Sequence, residues 1–431
     1  RNHHSKHCDH APEPASKRAL RRYFKASANP FIGANRNIQA FVAFSDLSAP
    51  STLHFCMTHA KHTVILGAGL MGRLMSLALL ERGHRVDLYD AQGPDAQGSA
   101  AAVAAAMLAP MAESAITEMN VVQMGRHGLK RWPELLAHLK EPVFFQQKGT
   151  LILWHSADAH EAQRFHQLME QTHEREPSLE KPQVLDAREI ESLEPSLSQR
   201  FQKGLYLPSE GQLDNAQLLK ALGSALYLYE AQGALSLHWH EPKALGDFTW
   251  DAPSQEGHVR LFDCRGLGAK TQWSELRGVR GEVIRLHAPG VQLSRPTRLI
   301  HPRYPLYIAP KEHDLYVIGA TEIEVEDSSP ASVRSTLELL SAAYSLHPAF
   351  AEGRIVQMNT QNRPTLTDNL PCMDLTHPST MKLNGLYRHG FLIAPAMLDC
   401  ALEWVDSQSL KLSRSLGLKV LGPSGHPKVM H

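Results

Sequence analysis

The sequence predicts an α/β protein that opens on a dinucleotide-binding unit, and three observations predict it. Residues 63–66 (TVIL) are short, apolar and β-branched, as a buried parallel strand should be. They run into Gly67-Ala68-Gly69-Leu70-Met71-Gly72, and residues 73–82 then read as a helix that stops at Gly83. Residues 86–89 (VDLY) give a second strand, and Asp90 follows it directly.

Each part has a physical task. Gly67 permits the tight turn out of the strand, and Gly69 lets backbone N–H groups approach a pyrophosphate. Gly72 lets the helix pack closely on the sheet. The helix start, with Leu70 and Met71, offers unpaired donors and a positive dipole end to phosphates. Asp90 lies 23 positions after Gly67, where a carboxylate accepts hydrogen bonds from both hydroxyls of an adenosine ribose. A 2′-phosphate would be repelled there, which disfavours NADP. The motif itself does not separate FAD from NAD, since NAD-dependent hydroxyacid dehydrogenases carry a similar turn. Residues 97–112 (QGSAAAVAAAMLAPMA) leave two readings open. One is small-residue backbone lying against a flat ring system; the other is an alanine-rich helix of high propensity.

Composition narrows the function classes. The chain has 431 residues, with 44 Lys plus Arg against 44 Asp plus Glu. A formal net charge of zero leaves no excess cation for phosphates, so a nucleic-acid partner is not expected. The five cysteines (Cys8, Cys56, Cys264, Cys372, Cys400) form no CxxC pair and suit a reducing compartment. No apolar run reaches the length needed to span a bilayer. The expected location is the cytoplasm.

Residues 1–56 differ from the rest, with eight basic and three acidic residues and no sustained period. The first methionine is Met57. The expectation is a non-homologous extension, disordered or untranslated, with a targeting segment and a flexible tail as the other readings. His3, His4, His7, Cys8 and His10 look like metal ligands by composition, but no folded frame surrounds them, so no metal site is expected. His238 and His240 flank Trp239 and share a strand face; without a third ligand they read as an exposed edge.

Further segments carry a resemblance. AAAMLAP (104–110), KGTLILW (148–154), EGQLDNAQLLKAL (210–222), DCRGLGAK (263–270), GVRGEVIRL (278–286), NRPTLTDNLP (362–371) and LNGLYRHGFLIAPAM (383–397) follow the glycine turn in order. Together they resemble the D-amino-acid oxidase family of flavoproteins, and within it the glycine oxidases of thiamine biosynthesis. The similarity runs from about Lys61 to Trp404. Asp90 stands where Glu is usual in the family, and Ala106 where glycine commonly precedes Met-Leu.

The resemblance implies a Rossmann-like FAD-binding domain interleaved with a smaller, sheet-rich α+β substrate domain. The FAD domain is expected to gather 57–142, 206–275 and 356–410, and the substrate domain 143–205 and 276–355. Residues 411–431 are left as a tail. Residues 333–348 have the apolar spacing of an amphipathic helix. The FAD positions implied are Gly67, Gly69, Leu70, Met71, Gly72, Asp90, Ala91, Ala105, Ala106, Met107, Gly266, His389, Gly390, Phe391 and Leu392.

The resemblance also implies oxidation of a small amino acid, with hydride passing to flavin and oxygen yielding hydrogen peroxide. Arg363 would bind the substrate carboxylate, because a guanidinium fork matches a carboxylate bidentately. Without the resemblance the favoured reading is a structural ion pair with Asp368. Tyr307 would hydrogen-bond the same carboxylate, and Arg388 would lie near flavin and substrate. Glu322 stands where a bacillary glycine oxidase has methionine, and facing the pocket it could hold an amine. No acid–base residue is required, and the only partners implied are the substrate and oxygen, with a homo-oligomer left open. FAD is expected to be noncovalent, since Gln361 occupies the position of the cysteine that anchors flavin in sarcosine oxidases. His301 and Arg303 read as polar groups near the entrance. Alternatives are a dehydrogenase of sarcosine, a D-amino acid or aminomethyl-uridine in tRNA, and an NAD-dependent hydroxyacid dehydrogenase.

Overall fold

A computed structural model describes residues 61–248, 258–300 and 306–422. The extension 1–56, its histidine-rich start, His301 and Arg303 lie outside these residues.

Strand β1 (His62–Leu66) leads through the glycine turn into α1 (Leu70–Glu81) and then β2 (Arg85–Asp90). β1 pairs in parallel with β2 on one side and with Leu261–Asp263 on the other. Both edges of β1 are therefore paired, and Thr63 to Leu66 are all buried. α1 is apolar on nearly every side, and every residue from Leu70 to Leu80 is buried. Such a helix belongs inside a core rather than on a surface. It packs against the sheet and against α2 (Asn215–Ala231). Even Arg73 is buried in α1. Its guanidinium donates to Ala68 O at 2.7 Å, Leu219 O at 2.9 Å and Pro94 O at 2.6 Å, tying the glycine turn to two distant segments. A side chain at Gly223 would collide with it, its Cβ falling 2.7 Å from Nη1.

The first sheet has seven strands in the order 419–421, 372–377, 380–384, 261–263, 62–66, 85–90, 235–239. Its pairings are parallel except for the 372–377/380–384 hairpin. The second sheet has eight strands and is mostly antiparallel. Its longest pair is β3 (Arg277–His287) with β4 (Arg354–Thr365). A three-stranded sheet of 107–108, 211–213 and 145–146 completes the set. Chain segments alternate between the two larger sheets, as an interleaved two-domain architecture requires.

Two details differ from the sequence expectation. The chain was expected to return to the first domain at 356, but β4 stays in the second sheet to Thr365, because its pairing with β3 extends until Thr365 faces Arg277. The expected tail is partly ordered: Lys411–Ser415 is helical, and Lys419–Leu421 adds the edge strand of the first sheet. Val333–Leu346 is the expected amphipathic helix, burying Leu339, Ala342, Ala343 and Leu346. Among the described residues, no helix is long and apolar enough to cross a membrane.

Candidate active site

A cavity of about 720 Å³ is lined by residues from both large sheets. That size falls within the ordinary range for ligand pockets. The first sheet supplies the glycine turn, the end of β2 and Cys264 to Gly268. The second supplies Gly281, Val283, Tyr307 and Gln361 to Pro364. Of the candidate residues, Gly67, Gly69, Leu70, Met71, Asp90, Ala91, Ala105, Ala106, Met107 and Gly266 line it. So do His389, Gly390, Phe391, Leu392, Tyr307, Arg363 and Arg388. Gly72 and Glu322 stand just behind the wall.

The glycine turn explains its own composition. Gly67 has φ +91°, and a Cβ there would sit 2.7 Å from Arg265 Cα. A Cβ on Gly72 would fall 1.7 Å from Gly67 O, so α1 can approach the turn only as glycine. Gly69 precedes α1 and leaves the helix N-terminus without a side-chain cap. Those free N–H groups suit phosphate oxygens. Asp90 ends β2, where its carboxylate accepts from the backbone N–H of Ala68 and of Gln92, the latter at 2.7 Å.

The alanine stretch is not a long helix. Ser99 caps one 3-10 turn, Ala100–Val103, and the chain then extends into Met107–Leu108. Ala106 has φ +53°, the left-handed region in which glycine is unstrained, which accounts for the glycine usual there. The loop is tied from behind. Asn215 Nδ2 donates to Ala101 O at 2.8 Å and Ala102 O at 3.0 Å. Lys311 Nζ donates to Ala105 O at 3.0 Å, and Leu213 N to Ala106 O at 3.1 Å. Four of the loop's carbonyls are thus satisfied by distant segments, and its small residues line the cavity. Lys311 also donates to Gln212 Oε1 and Leu213 O, and burial brings its pKa down to about 7.

Arg363 projects from β4 toward β3 at Gly281. A Cβ on Gly281 would lie 2.4 to 2.7 Å from the guanidinium, so glycine makes the slot. Arg363 donates to Thr321 O at 2.9 Å and Arg280 O at 3.2 Å. The ion-pair alternative does not hold, because Asp368 pairs with Lys419 at 2.7 Å. Among the described residues, no carboxylate comes within ion-pair distance of Arg363. Lys243, Arg265 and Arg388, the other cations on the wall, are each paired with acidic residues. Tyr307 shares the wall, and burial, with the negative charge of Glu113, raises its hydroxyl pKa.

Arg388 is paired where Arg363 is not. It donates to Glu113 Oε2 at 2.8 Å and Glu322 Oε2 at 3.0 Å, so its charge is already neutralised. Burial opposes the charge, but these two carboxylates outweigh it and keep the guanidinium protonated. Glu322 does not face the pocket as an amine partner. It is occupied by Arg388 and by the Tyr387 hydroxyl. Burial favours its neutral form, yet those donors hold its pKa below the usual carboxylate value. Glu113, which sequence reading missed, is almost fully buried; its one signal is to be the first charge after the apolar run 100–112. Burial would raise its pKa, but the charge of Arg388, with Arg298 also near, holds it low. His389 itself is lowered by burial to about 4 and is neutral near pH 7.

Glu210 was also missed. It is fully buried, accepts from Ala112 N at 2.7 Å through Oε1, and leaves Oε2 without a partner. Burial raises its pKa to about 7. An unfolded glutamate titrates near 4.3. The folded chain therefore retains a proton that the unfolded chain loses between those values. Stability from that proton is complete below the unfolded value and is lost as pH rises through about 7. Glu210→Gln, which mimics the protonated form, should leave stability at pH 4 nearly unchanged and raise it by up to about 3 kcal/mol at pH 8.5. Thermal melts of both proteins at the two pH values check this; equal shifts at both would contradict it.

The His238-Trp239-His240 segment has ordinary partners. His238 stacks on Tyr89 at 4.1 Å, and Trp239 lies beneath Arg73. Among the described residues, no group of three His, Cys, Asp or Glu side chains is arranged to hold a metal ion.

Comparison with known proteins decides the family. The profile of the DAO family, FAD dependent oxidoreductase, matches residues 62–401. The chain belongs to this family. This FAD-dependent oxidoreductase is 37% identical over 334 residues to a Rhizobium etli protein assigned as the thiamine biosynthesis oxidoreductase ThiO, covering 78% of this chain and 93% of that protein. Its fold resembles the glycine oxidase of Bacillus cereus with TM-score 0.66 at 20% identity, over 81% of this chain and 96% of the other. For glycine oxidase from Geobacillus kaustophilus the TM-score is 0.64 at 23% identity, over 81% and 95%. FAD, not NAD, is the cofactor of the family. The cavity fits such a group: an uncapped helix start, the Asp90 carboxylate at the end of β2 and a stretch of alanines all line it.

Proposed function

We propose that this FAD-dependent oxidoreductase oxidises a small amino acid, with glycine the leading candidate, to the imino acid. The observation that carries the reading is Arg363, the cation on the cavity wall without a carboxylate partner among the described residues. A monocarboxylate with a short α-carbon satisfies it. Tyr307 shares that wall and provides a second donor for the same carboxylate. Together they orient the α-carbon, and orientation is the main service a protein gives to a cofactor's chemistry. When bound, FAD supplies the hydride acceptor, and its reoxidation by oxygen gives hydrogen peroxide.

The residues also explain the lack of a dedicated base. Glu113, Glu322 and Arg388 are committed to one another, and His389 is neutral near pH 7. The substrate amine need only lose its proton to solvent before hydride leaves. Glycine offers no side chain to grip, so the carboxylate fixes orientation. Walls then discriminate by only about 1–3 kcal/mol per methylene, so slower turnover of sarcosine or D-alanine is expected. A role in supplying thiamine thiazole synthesis is supported by the likeness to the Rhizobium etli protein.

FAD is held without a covalent bond in this reading. Gln361 lines the cavity and donates to Gly98 O at 3.1 Å, and an amide cannot form the thioether that a cysteine would. Acid precipitation should release yellow flavin into the supernatant; colour kept in the pellet would refute it. The test of the reaction is an anaerobic titration with glycine, followed by air. Bleaching of the oxidised-flavin band and its recovery with peroxide supports the proposal. A yellow protein that glycine leaves unbleached removes glycine and sends the search to sarcosine and D-amino acids.

A further inference from the structure

The substrate wall holds two arginines in different states. Arg363 is unpaired by carboxylates among the described residues, whereas Arg388 lies between Glu113 and Glu322. The two glutamates are not equivalent. Glu113 is almost enclosed, with a side chain 12% exposed, and has His389 as a further neighbour at 3.6 Å. Glu322 is 30% exposed and reaches Arg388 Nη1 from the loop after strand Leu315–Gly319. Tyr387, whose ring shares the cavity wall, holds its other oxygen.

We infer that Glu322, from behind the cavity wall, takes up the guanidinium of Arg388 that a second substrate carboxylate would need, and so restricts the site to amines bearing one carboxylate. This rests on the amino-acid reading above and specifies its substrate class. The charges support it. Arg388 is matched by Glu113 and Glu322, with buried Arg298 also beside Glu113, whereas Arg363 has no carboxylate partner among the described residues. A zwitterion with one carboxylate enters such a site without net charge. A dicarboxylate adds a negative charge that finds Arg388 taken and Glu322 repelling it. An unpaired like-charge contact of this kind is an effective way to reject a competing ligand. The sequence departure at position 322 thus gains a role: the carboxylate acts on the arginine, and only through it on the ligand.

The experiment measures binding of acetate and of malonate to the FAD-loaded protein by calorimetry, for the wild type, Glu322→Gln and Glu322→Asp. Glutamine keeps the hydroxyl partner and the shape while removing the charge, which guards against misfolding. In the wild type, acetate should bind more tightly than malonate. In Glu322→Gln the ratio of the malonate to the acetate dissociation constant should fall by about tenfold or more, the size of effect expected from releasing one buried charge contact. Glu322→Asp should keep the wild-type ratio. Equal strengthening of both anions would show a general charge effect and overturn the inference. So would an unchanged ratio in a glutamine variant that still binds acetate. A wild type that binds neither anion would instead remove the carboxylate site at Arg363, and this inference with it.

Discussion

Arg363→Met should lower kcat/KM for the amino-acid substrate by about 100-fold to 1,000-fold, the loss expected when a charged hydrogen-bonded partner is left without its counterpart. Most of the loss should appear in KM, because the guanidinium holds the carboxylate both before and during hydride transfer. Flavin content should be unchanged, since Arg363 stands on the second sheet and the glycine turn belongs to the first. Lysine should not rescue it. The slot beside Gly281 fits a planar fork that already donates to two carbonyls, and an ammonium has one centre and no fork. Steady-state kinetics with flavin quantified by absorbance decides the matter. A loss under tenfold would mean that another group grips the carboxylate.

The second large effect is at Gly72. Alanine there places a methyl 1.7 Å from Gly67 O, and no flexible side chain can yield, because the obstacle is backbone. Either α1 moves off the turn or the turn opens. In both cases the N–H groups that would face the phosphates of bound FAD lose their arrangement. Gly72→Ala should purify with little or no flavin, and added FAD should bind at least about 100-fold more weakly, consistent with a packing penalty of about 1–3 kcal/mol compounded by lost phosphate contacts. Fluorescence titration with FAD reads the affinity, and circular dichroism shows whether the fold survives. Tight flavin binding by a folded variant would overturn the reading of this turn.

The parts of the site that sequence revealed are those whose chemistry is local. Gly67 to Asp90 forms one strand–helix–strand unit, so its whole pattern falls within a short window. Arg363 was legible because the resemblance set it apart from the bland reading, an ion pair with Asp368. What escaped is non-local. Glu210 meets Ala112 across 98 positions, and Lys311 meets Ala105 across 206. A buried polar side chain has no period; only the partner that satisfies it shows why it is there. Arg388 lines the cavity, but its pairing was not legible in the sequence, because Glu113 lies 275 residues away. The strand Lys419–Leu421 was missed for a different reason. Three residues are too few for any alternation to show.

The alternation of chain segments between the two large sheets also governs when the molecule can exist. The cavity is assembled in instalments: the glycine turn early, Tyr307 and Arg363 much later, and Tyr387 to Leu392 later still. The first sheet waits for Lys419–Leu421. During synthesis the nucleotide-facing half is therefore exposed for most of the chain's emergence without the walls that would enclose a ligand. Such long-range assembly folds slowly. A cofactor that binds only the finished cavity then acts as a latch on a late event, drawing the completed chain out of the pool of partly folded ones. The amount of this enzyme in a cell should accordingly follow its flavin supply, through how many chains finish folding as well as how many can turn over.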